Sequence, residues 1–464
     1  MSNSVIATHS FGAESQKLWQ LAWPILLAQL ALTGLGVVDT LMSGWSGTQD
    51  LAAIGLGTSI LLPIFMFATG VLLAITPLVG KAYGKGDSVA VSRFLNQGLW
   101  LALPLGIVSA LVLANLQFIL NWLSLEPRVF QLTDDYLFYI SFGLPAVALY
   151  QALRFYWEGL GQTLPTMWIS LVALLLNIPL NAIFIFGWGA IEPMGAAGCG
   201  VASALVMWFM LVVGLIYVQR NRLTKSFIQW HKILHCQWRE GVLPILKIGV
   251  PNAMALLFEV SLFTLIALFV APLGTDVIAA QQIAISVTSL LFMLPLSWGL
   301  ALTVRVGQVY GSGNIAHMHL LLKAALVYAV ILGLILAINT YIWREQITSL
   351  YSEDMAVISI AIILMIFAAG YQLFDAIQVA CAGILRGFHD THITMWVTFL
   401  SYWLIGLGLG YILSLTDWLV EPMGVYGFWL GICLGLGLAA ILLTWRLISK
   451  KAQVYAEMAQ EHQS

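Results

Sequence analysis

The amino-acid sequence predicts an all-α membrane protein in which twelve transmembrane helices form two parallel six-helix repeats, and three observations carry that prediction. The first is composition. Apolar residues make up 61% of the 464 and charged residues 9%, with a mean hydropathy of +0.93, against roughly 45 to 50% and 25% in soluble domains. The second is a succession of apolar runs, each long enough to cross about 30 Å of hydrocarbon as a helix of roughly 20 residues. The third is internal repetition. EPMGAAG at Glu192–Gly198 returns as EPMGVYG at Glu421–Gly427, 229 positions later. VGKAYGKGD at Val79–Asp87 returns as VGQVYGSGN at Val306–Asn314 with an offset of 227, and GLGQTLPTMWI at Gly159–Ile169 returns as GFHDTHITMWV at Gly387–Val397 with an offset of 228. A period this long excludes a solenoid and fits two membrane half-bundles.

In chain order the spans are expected at 18–43, 51–79, 93–117, 132–157, 165–188 and 196–219 in the first half. Those of the second half are expected at 243–271, 277–304, 319–340, 355–385, 393–415 and 424–447. Several exceed the minimum, which implies tilt or bending. Pro24, Pro63, Pro145, Pro179, Pro251 and Pro295 supply the bends, because each removes a backbone donor. Residues 1–17 are polar and the first apolar run is too long for a cleavable signal, so the first span itself directs insertion. Trp188, Trp343 and Trp418 are placed as interfacial anchors.

Basic residues set the orientation. Counting the amino terminus, the even-numbered connections and the carboxyl terminus as one side puts 17 of the 19 Lys and Arg there, including Arg220, Arg222, Lys225, Arg239 and Lys247 around the central loop. Only Arg128 and Arg344 lie opposite. The positive-inside rule makes that side cytoplasmic. Asp50, Glu126, Asp134, Asp135, Glu192, Asp276, Glu353, Asp354, Asp417 and Glu421 then face outward. Six crossings per half make the repeats parallel, an arrangement that commonly encloses a central cavity with alternating access. The expected organisation is a first lobe at 1–220, a cytoplasmic linker at 221–241 and a second lobe at 242–464.

Some chemistries are excluded or unsupported. No GxxxxGK[ST] phosphate loop exists, so the chain does not hydrolyse ATP and any transport is secondary. No Arg-rich helix suggests voltage sensing, no filter-like loop a channel, and no triad or metal cluster an enzyme. Cys199, Cys236, Cys381 and Cys433 are expected as free thiols, since no two share an outward loop. His231 with His235, His317 with His319, and His389 with His392 have metal-compatible spacings but lack acidic or thiolate partners, and read as surface-loop histidines. No cofactor and no nucleic-acid partner is expected, and the chain is expected to act as a monomer.

Function is sought where the bilayer makes polarity costly. Asp39, Glu259 and Asp375 fall within spans, where an ionisable group costs about 3 kcal/mol on insertion scales unless solvated, paired or neutralised. Glu259 lies 12 residues beyond Lys247 and Asp375 lies 11 before Arg386, which at about 1.5 Å per residue puts both roughly 16 to 18 Å above the cytoplasmic edge. Asp39, 22 residues past Lys17, sits about 33 Å up by the same arithmetic, less for tilt. Two carboxylates in one cavity share a proton or recruit a cation. Tyr371, one turn before Asp375 on the same face, offers a further oxygen, which suits sodium and other hard cations. Asn177 and Asn181 share a face, and Pro179 between them frees backbone carbonyls beside Asp39. Gln281, Gln282 and Gln378 extend the polar lining or simply join helices. The acids have no repeat partner, because Asp39 maps onto Ile266 and Glu259 onto Leu32. Each half therefore holds its own chemistry.

At motif level the chain resembles the NorM-type branch of the multidrug and toxic compound extrusion (MATE) transporters. The resemblance rests on TGLGVVDTLMSG, LLNIPLNAIF, FEVSLF, AAQQIA, YQLFDAIQ and GILRGFHDT, and it spans roughly residues 17–450. It implies a V-shaped bundle of two lobes in a bacterial inner membrane with both termini cytoplasmic. It implies an antiporter that expels cationic amphiphilic drugs and dyes, fluoroquinolones and ethidium-like compounds among them, in exchange for sodium or protons, with antibiotic resistance as the outcome. Glu259, Asp375 and Tyr371 match the family's second-lobe cation site, and Asp39, Asn177 and Asn181 its first-lobe polar site. Sodium is the preferred coupling ion. The rivals are a flippase of lipid-linked oligosaccharide or polyisoprenoid, which calls for basic residues in the cavity, and a non-transporting scaffold, which has no need of three buried acids.

Overall fold

A computed structural model describes residues 10–122, 125–189, 191–228 and 235–461. In the first half the helices are α1 (Phe11–Ser46), α2 (Thr48–Leu72), α3 (Ile75–Lys85), α4 (Ser88–Ala114), α5 (Gln117–Trp122), α6 (Pro127–Ser141), α7 (Leu144–Gly159), α8 (Leu164–Phe186), α9 (Ala196–Arg220) and α10 (Arg222–Lys225). The second half has α11 (Leu243–Val270), α12 (Thr275–Ser312), α13 (Ile315–Tyr351), α14 (Met355–Gly387), α15 (Thr391–Thr398), α16 (Gly410–Leu415) and α17 (Val425–Glu461), with a wider π-helical stretch, Phe399–Leu409, between α15 and α16. Helix prevails because hydrocarbon offers backbone groups no partner, and a helix satisfies them within its own segment. Among the described residues eleven helices, or runs of helix, are long and apolar enough to cross a membrane, and the pair α6 and α7, bent by 46°, makes a twelfth when taken as one span. Every expected span has its counterpart. Trp188, Trp343 and Trp418 are all exposed.

The repeat is visible bond by bond. The backbone N–H groups of Met194 and Gly195 donate to Phe184 and Ile185, and those of Met423 and Gly424 donate to Leu413 and Ser414, the same ladder 229 residues on. Thr76 Oγ1 donates to the Phe155 carbonyl (3.2 Å) and Thr303 Oγ1 to that of Gly383 (3.1 Å). Asp87 caps α4 through Ala90 N–H and Asn314 caps α13 through His317 N–H, both at 2.9 Å, each satisfying an otherwise orphaned donor of the first turn. Close packing repeats as well. A Cβ on Gly106 would stand 2.7 Å from Pro145 Cα, and one on Gly333 would stand 2.9 Å from Leu373 Cα. Only glycine admits either approach. A left-handed turn ends both α7 and α14, with φ of 83° at Gly161 and 62° at His389.

The chain divides into two compact units: Trp23–Ala253, and the segment up to Ala22 together with Met254–Ser464. The divisions fall inside α1 and α11, beside Pro24 and Pro251. These boundaries are offset from the expected lobes, and packing explains both offsets. In the first unit, Asn252 Nδ2 donates to the Gly70 carbonyl (2.9 Å), which ties the start of α11 to α2. In the second, the Arg305 guanidinium grips both oxygens of Glu14 at 2.7 and 2.9 Å, and His317 Nε2 meets the same carboxylate at 2.7 Å, all three fully or almost fully buried. Trp19 packs on Trp298 and Tyr328 one turn further along. His317 is thus a core residue rather than a surface-loop histidine, because the polar start of α1 covers it. His231 lies outside the described residues. The first unit has a buried pair of its own, Arg154 Nε to Glu158 Oε1 at 2.7 Å, completed by Thr166. All four cysteines are free, and the described residues contain no group of three His, Cys, Asp or Glu able to hold a metal.

Candidate functional site

Each unit holds one of the acidic sites expected from the sequence. In the first, α1 carries Asp39 and α8 carries Asn177 and Asn181 four residues apart, so both amides leave the helix on one face. Asp39 Oδ1 accepts from Asn177 Nδ2 (3.1 Å) and Asn181 Nδ2 (2.7 Å), and Asn181 also donates to Asn177 Oδ1 (3.0 Å). All three residues are buried. The structure therefore joins the three first-half residues expected from sequence. It adds two from α9: Ser203 Oγ donates to Asp39 Oδ2 (2.9 Å) and the Cys199 thiol also reaches the carboxylate. Their spacing of four residues on an apolar helix was the available signal, too common among transmembrane helices to single them out. Three firm donors converge on one carboxylate, while the Asn181 carbonyl oxygen has no hydrogen-bond partner among the described residues.

In the second unit α14 carries Tyr371, Asp375 and Gln378 on successive turns of one buried face. Glu259 arrives from α11, is partly exposed, and lies within electrostatic reach of Asp375. The two acids expected from sequence in the second half thus lie in one unit, near enough for each charge to bear on the other. Tyr371 lies near Thr288 of α12, and its ring lies against Trp429 of α17 with centroids 6.3 Å apart. Gln378 Nε2 donates to the hydroxyl of Tyr402 (2.6 Å) in the π-helical stretch. Sequence reasoning passed over Tyr402 and Thr288 because each lies among ordinary apolar neighbours. Arg386 is partly buried, donates to Thr303 Oγ1 (3.3 Å), and its charge is felt at Glu259. The remaining glutamines part company: Gln281 is buried with its carbonyl oxygen unpartnered among the described residues, whereas Gln282 lines a separate cleft with Ser286, Tyr351 and Ser352.

Two six-helix repeats, each with a buried acid on a helix long and apolar enough to cross a membrane, have the architecture of a membrane transporter. The MatE family profile matches residues 24–183 and again 251–412, one match per repeat. The multidrug resistance protein NorM of Aliivibrio fischeri is 40% identical over 443 residues, covering 95% of each chain. The chain belongs to the MatE family. Among solved structures, the eukaryotic MATE transporter AtDTX14 superposes with a TM-score of 0.85 at 21% identity over 97% of this chain and 99% of that one. A MOP superfamily transporter from Pyrococcus furiosus, reported to have a binding pocket of reverse polarity, superposes with a TM-score of 0.84 at 18% identity over 95% and 96%. Those two likenesses concern the fold.

Proposed function

We propose that this chain is a secondary active multidrug efflux antiporter, exporting cationic amphiphilic drugs and dyes in exchange for sodium or protons, with sodium preferred. The observation that carries the reading is the pair of acids Glu259 and Asp375 in one unit, each near enough to bear on the other's charge, beside the buried face of α14 that carries Tyr371. Paired carboxylates invite a cation or a proton. The name of the Aliivibrio fischeri relative supports the drug-export half of the reading. Asp39 with Asn177 and Asn181 is the seat for a cationic substrate or a proton in the first lobe. We place the protein as a monomer in a bacterial inner membrane with both termini cytoplasmic, on the distribution of its basic residues. Lobes 1–220 and 242–464, joined by the linker 221–241, would be its moving parts.

An ion entering down the membrane potential supplies about 2.3 kcal/mol per unit charge per 100 mV. It drives a conformational change only if it binds the two states unequally. Competition between ion and cationic drug for carboxylates meets that condition. The fold alone does not discriminate a drug exporter from a flippase, as the reversed pocket polarity reported for the Pyrococcus furiosus protein indicates. Side-chain charge does, and here acids mark both candidate sites.

The test is ethidium flux in proteoliposomes under a sodium gradient or, separately, a pH gradient. Sodium-driven flux that Asp375→Asn reduces by about a hundredfold, as expected from losing a charged ligand at roughly 1.5 to 3 kcal/mol, upholds the reading. Flux under a pH gradient alone replaces sodium by protons. No response to either gradient returns the flippase and the scaffold.

A further inference from the structure

Tyr402 sits where the backbone departs from the α-helix. The stretch Phe399–Leu409 widens to i→i+5 bonding, a geometry that is rare, occurs mostly as single-turn bulges and is frequent at functional sites. Its packing shows how it is accommodated. α17 presents glycines to it: a Cβ on Gly431 would lie 2.4 Å from the Gly406 carbonyl oxygen, and one on Gly435 2.6 Å from that of Ser401. The widened helix presses its backbone into that groove and turns Tyr402 inward, where 2% of the residue is exposed.

Its hydroxyl has one hydrogen-bond partner among the described residues, Gln378 Nε2 at 2.6 Å, and Gln378 stands one turn beyond Asp375 on α14. The same hydroxyl lies within electrostatic reach of both Glu259 and Asp375. A phenol offers one proton and two lone pairs. With one lone pair engaged by Gln378, the proton and the second lone pair remain for the acids' side. Before an ion binds, the proton can donate to a carboxylate; once a cation sits between the acids, rotation about the C–O bond presents the lone pair instead.

We propose that Tyr402, aimed by Gln378, is a ligand of the coupling ion that favours sodium over the proton. The inference rests on the reading of Glu259 and Asp375 as the coupling pair. A proton is satisfied by one carboxylate oxygen, whereas a hard cation gathers about six oxygens. Two carboxylates supply four at most, and the phenols of Tyr371 and Tyr402 add neutral ones from opposite sides of Asp375 without further repulsion.

The experiment titrates sodium against ethidium flux in proteoliposomes for the wild type, Tyr402→Phe, Gln378→Leu and Asp375→Asn, and repeats the series under a pH gradient. Tyr402→Phe is expected to raise the half-saturating sodium concentration about tenfold, with maximal flux falling less than threefold, and to weaken pH-driven flux by a smaller factor than sodium-driven flux. Gln378→Leu should shift it about threefold in the same direction. An unchanged half-saturating concentration in Tyr402→Phe, with Asp375→Asn inactive, overturns the role of Tyr402 and leaves the acid pair standing. Wild-type ion dependence in Asp375→Asn, or a wild type driven by pH alone, removes the coupling-pair or sodium reading and this inference with it. If Tyr402→Phe carries no flux at any sodium concentration, radioactive sodium binding to the purified variant decides: affinity lost upholds the ligand, affinity retained overturns it.

Discussion

Residues 127–159 and 355–387 are one span written twice, and the two copies differ in shape. The first is α6 and α7, bent by 46° at Phe142 and Gly143. The second is the single helix α14, with the same ends shifted by 228. One residue accounts for the difference. Pro145 near the start of α7 cannot donate back to the preceding turn and its ring crowds the carbonyl there, whereas its counterpart in α14 is Leu373, which continues the ladder. The break falls where it matters. Gly143 and Val147 of the first copy correspond to Tyr371 and Asp375 of the second, so the position of a kink in one half is the position of the candidate cation site in the other. An unbroken helix holds Tyr371, Asp375 and Gln378 at fixed spacing, as a site that must present several oxygens to one ion requires. The first unit instead assembles its acid from α1, α8 and α9, around Asp39.

Substitutions can break this contrast, and the largest expected effects concern the frame around each copy. Arg305→Met strands Glu14 in the second unit, and losing one partner of a buried pair costs about 3 to 5 kcal/mol. A large fall in thermal midpoint is expected by scanning fluorimetry in detergent, and Glu14→Met together with Arg305→Met should recover most of it. An equal loss in the double variant would show that packing rather than charge holds the segment. Leu373→Pro writes the first copy's proline into α14. It should cost about 3 kcal/mol and weaken sodium dependence of ethidium flux more than it weakens drug binding; undiminished sodium affinity would mean that a straight helix is not what the site needs.

Smaller effects sharpen the contrast. Ser203→Ala removes one donor from the buried Asp39 carboxylate, worth about 1.5 to 3 kcal/mol, and should shift the pH profile of transport while leaving the half-saturating sodium concentration within twofold. A shift in sodium affinity of Asp375 magnitude would make the two units one site rather than two. Last, His389→Gly restores the glycine of the first copy at a left-handed φ of 62°. Relief of that backbone conformation is worth about 1 kcal/mol or less, read as a small rise in thermal midpoint with flux unaltered.

The sequence carried much of the site because the bilayer penalises what it contains. Asp39, Glu259 and Asp375 stood out as acids in apolar runs, and helical spacing alone placed Asn177 with Asn181 and Tyr371 with Asp375. Gln282 shows the limit of such reasoning, since a neighbouring position on a helix turns about 100° away and lands in another cleft. Glu14 and Glu158 escaped notice for a different reason. Both read as members of polar cytoplasmic ends, and only the residues packed over them made them buried.

What the sequence by itself determined is the repeat, the number and order of spans, and which three acids fall within them, since these depend on hydropathy summed over about 20 residues and on periodicity along one chain. The tertiary structure alone decided the partners: Arg305 with Glu14, 291 residues apart, Ser203 with Asp39 at 164, and Gln378 with Tyr402 at 24, held across a wide helix. A side chain's environment in a helical bundle is set by which faces meet, and that is a property of packing between segments rather than of any segment alone.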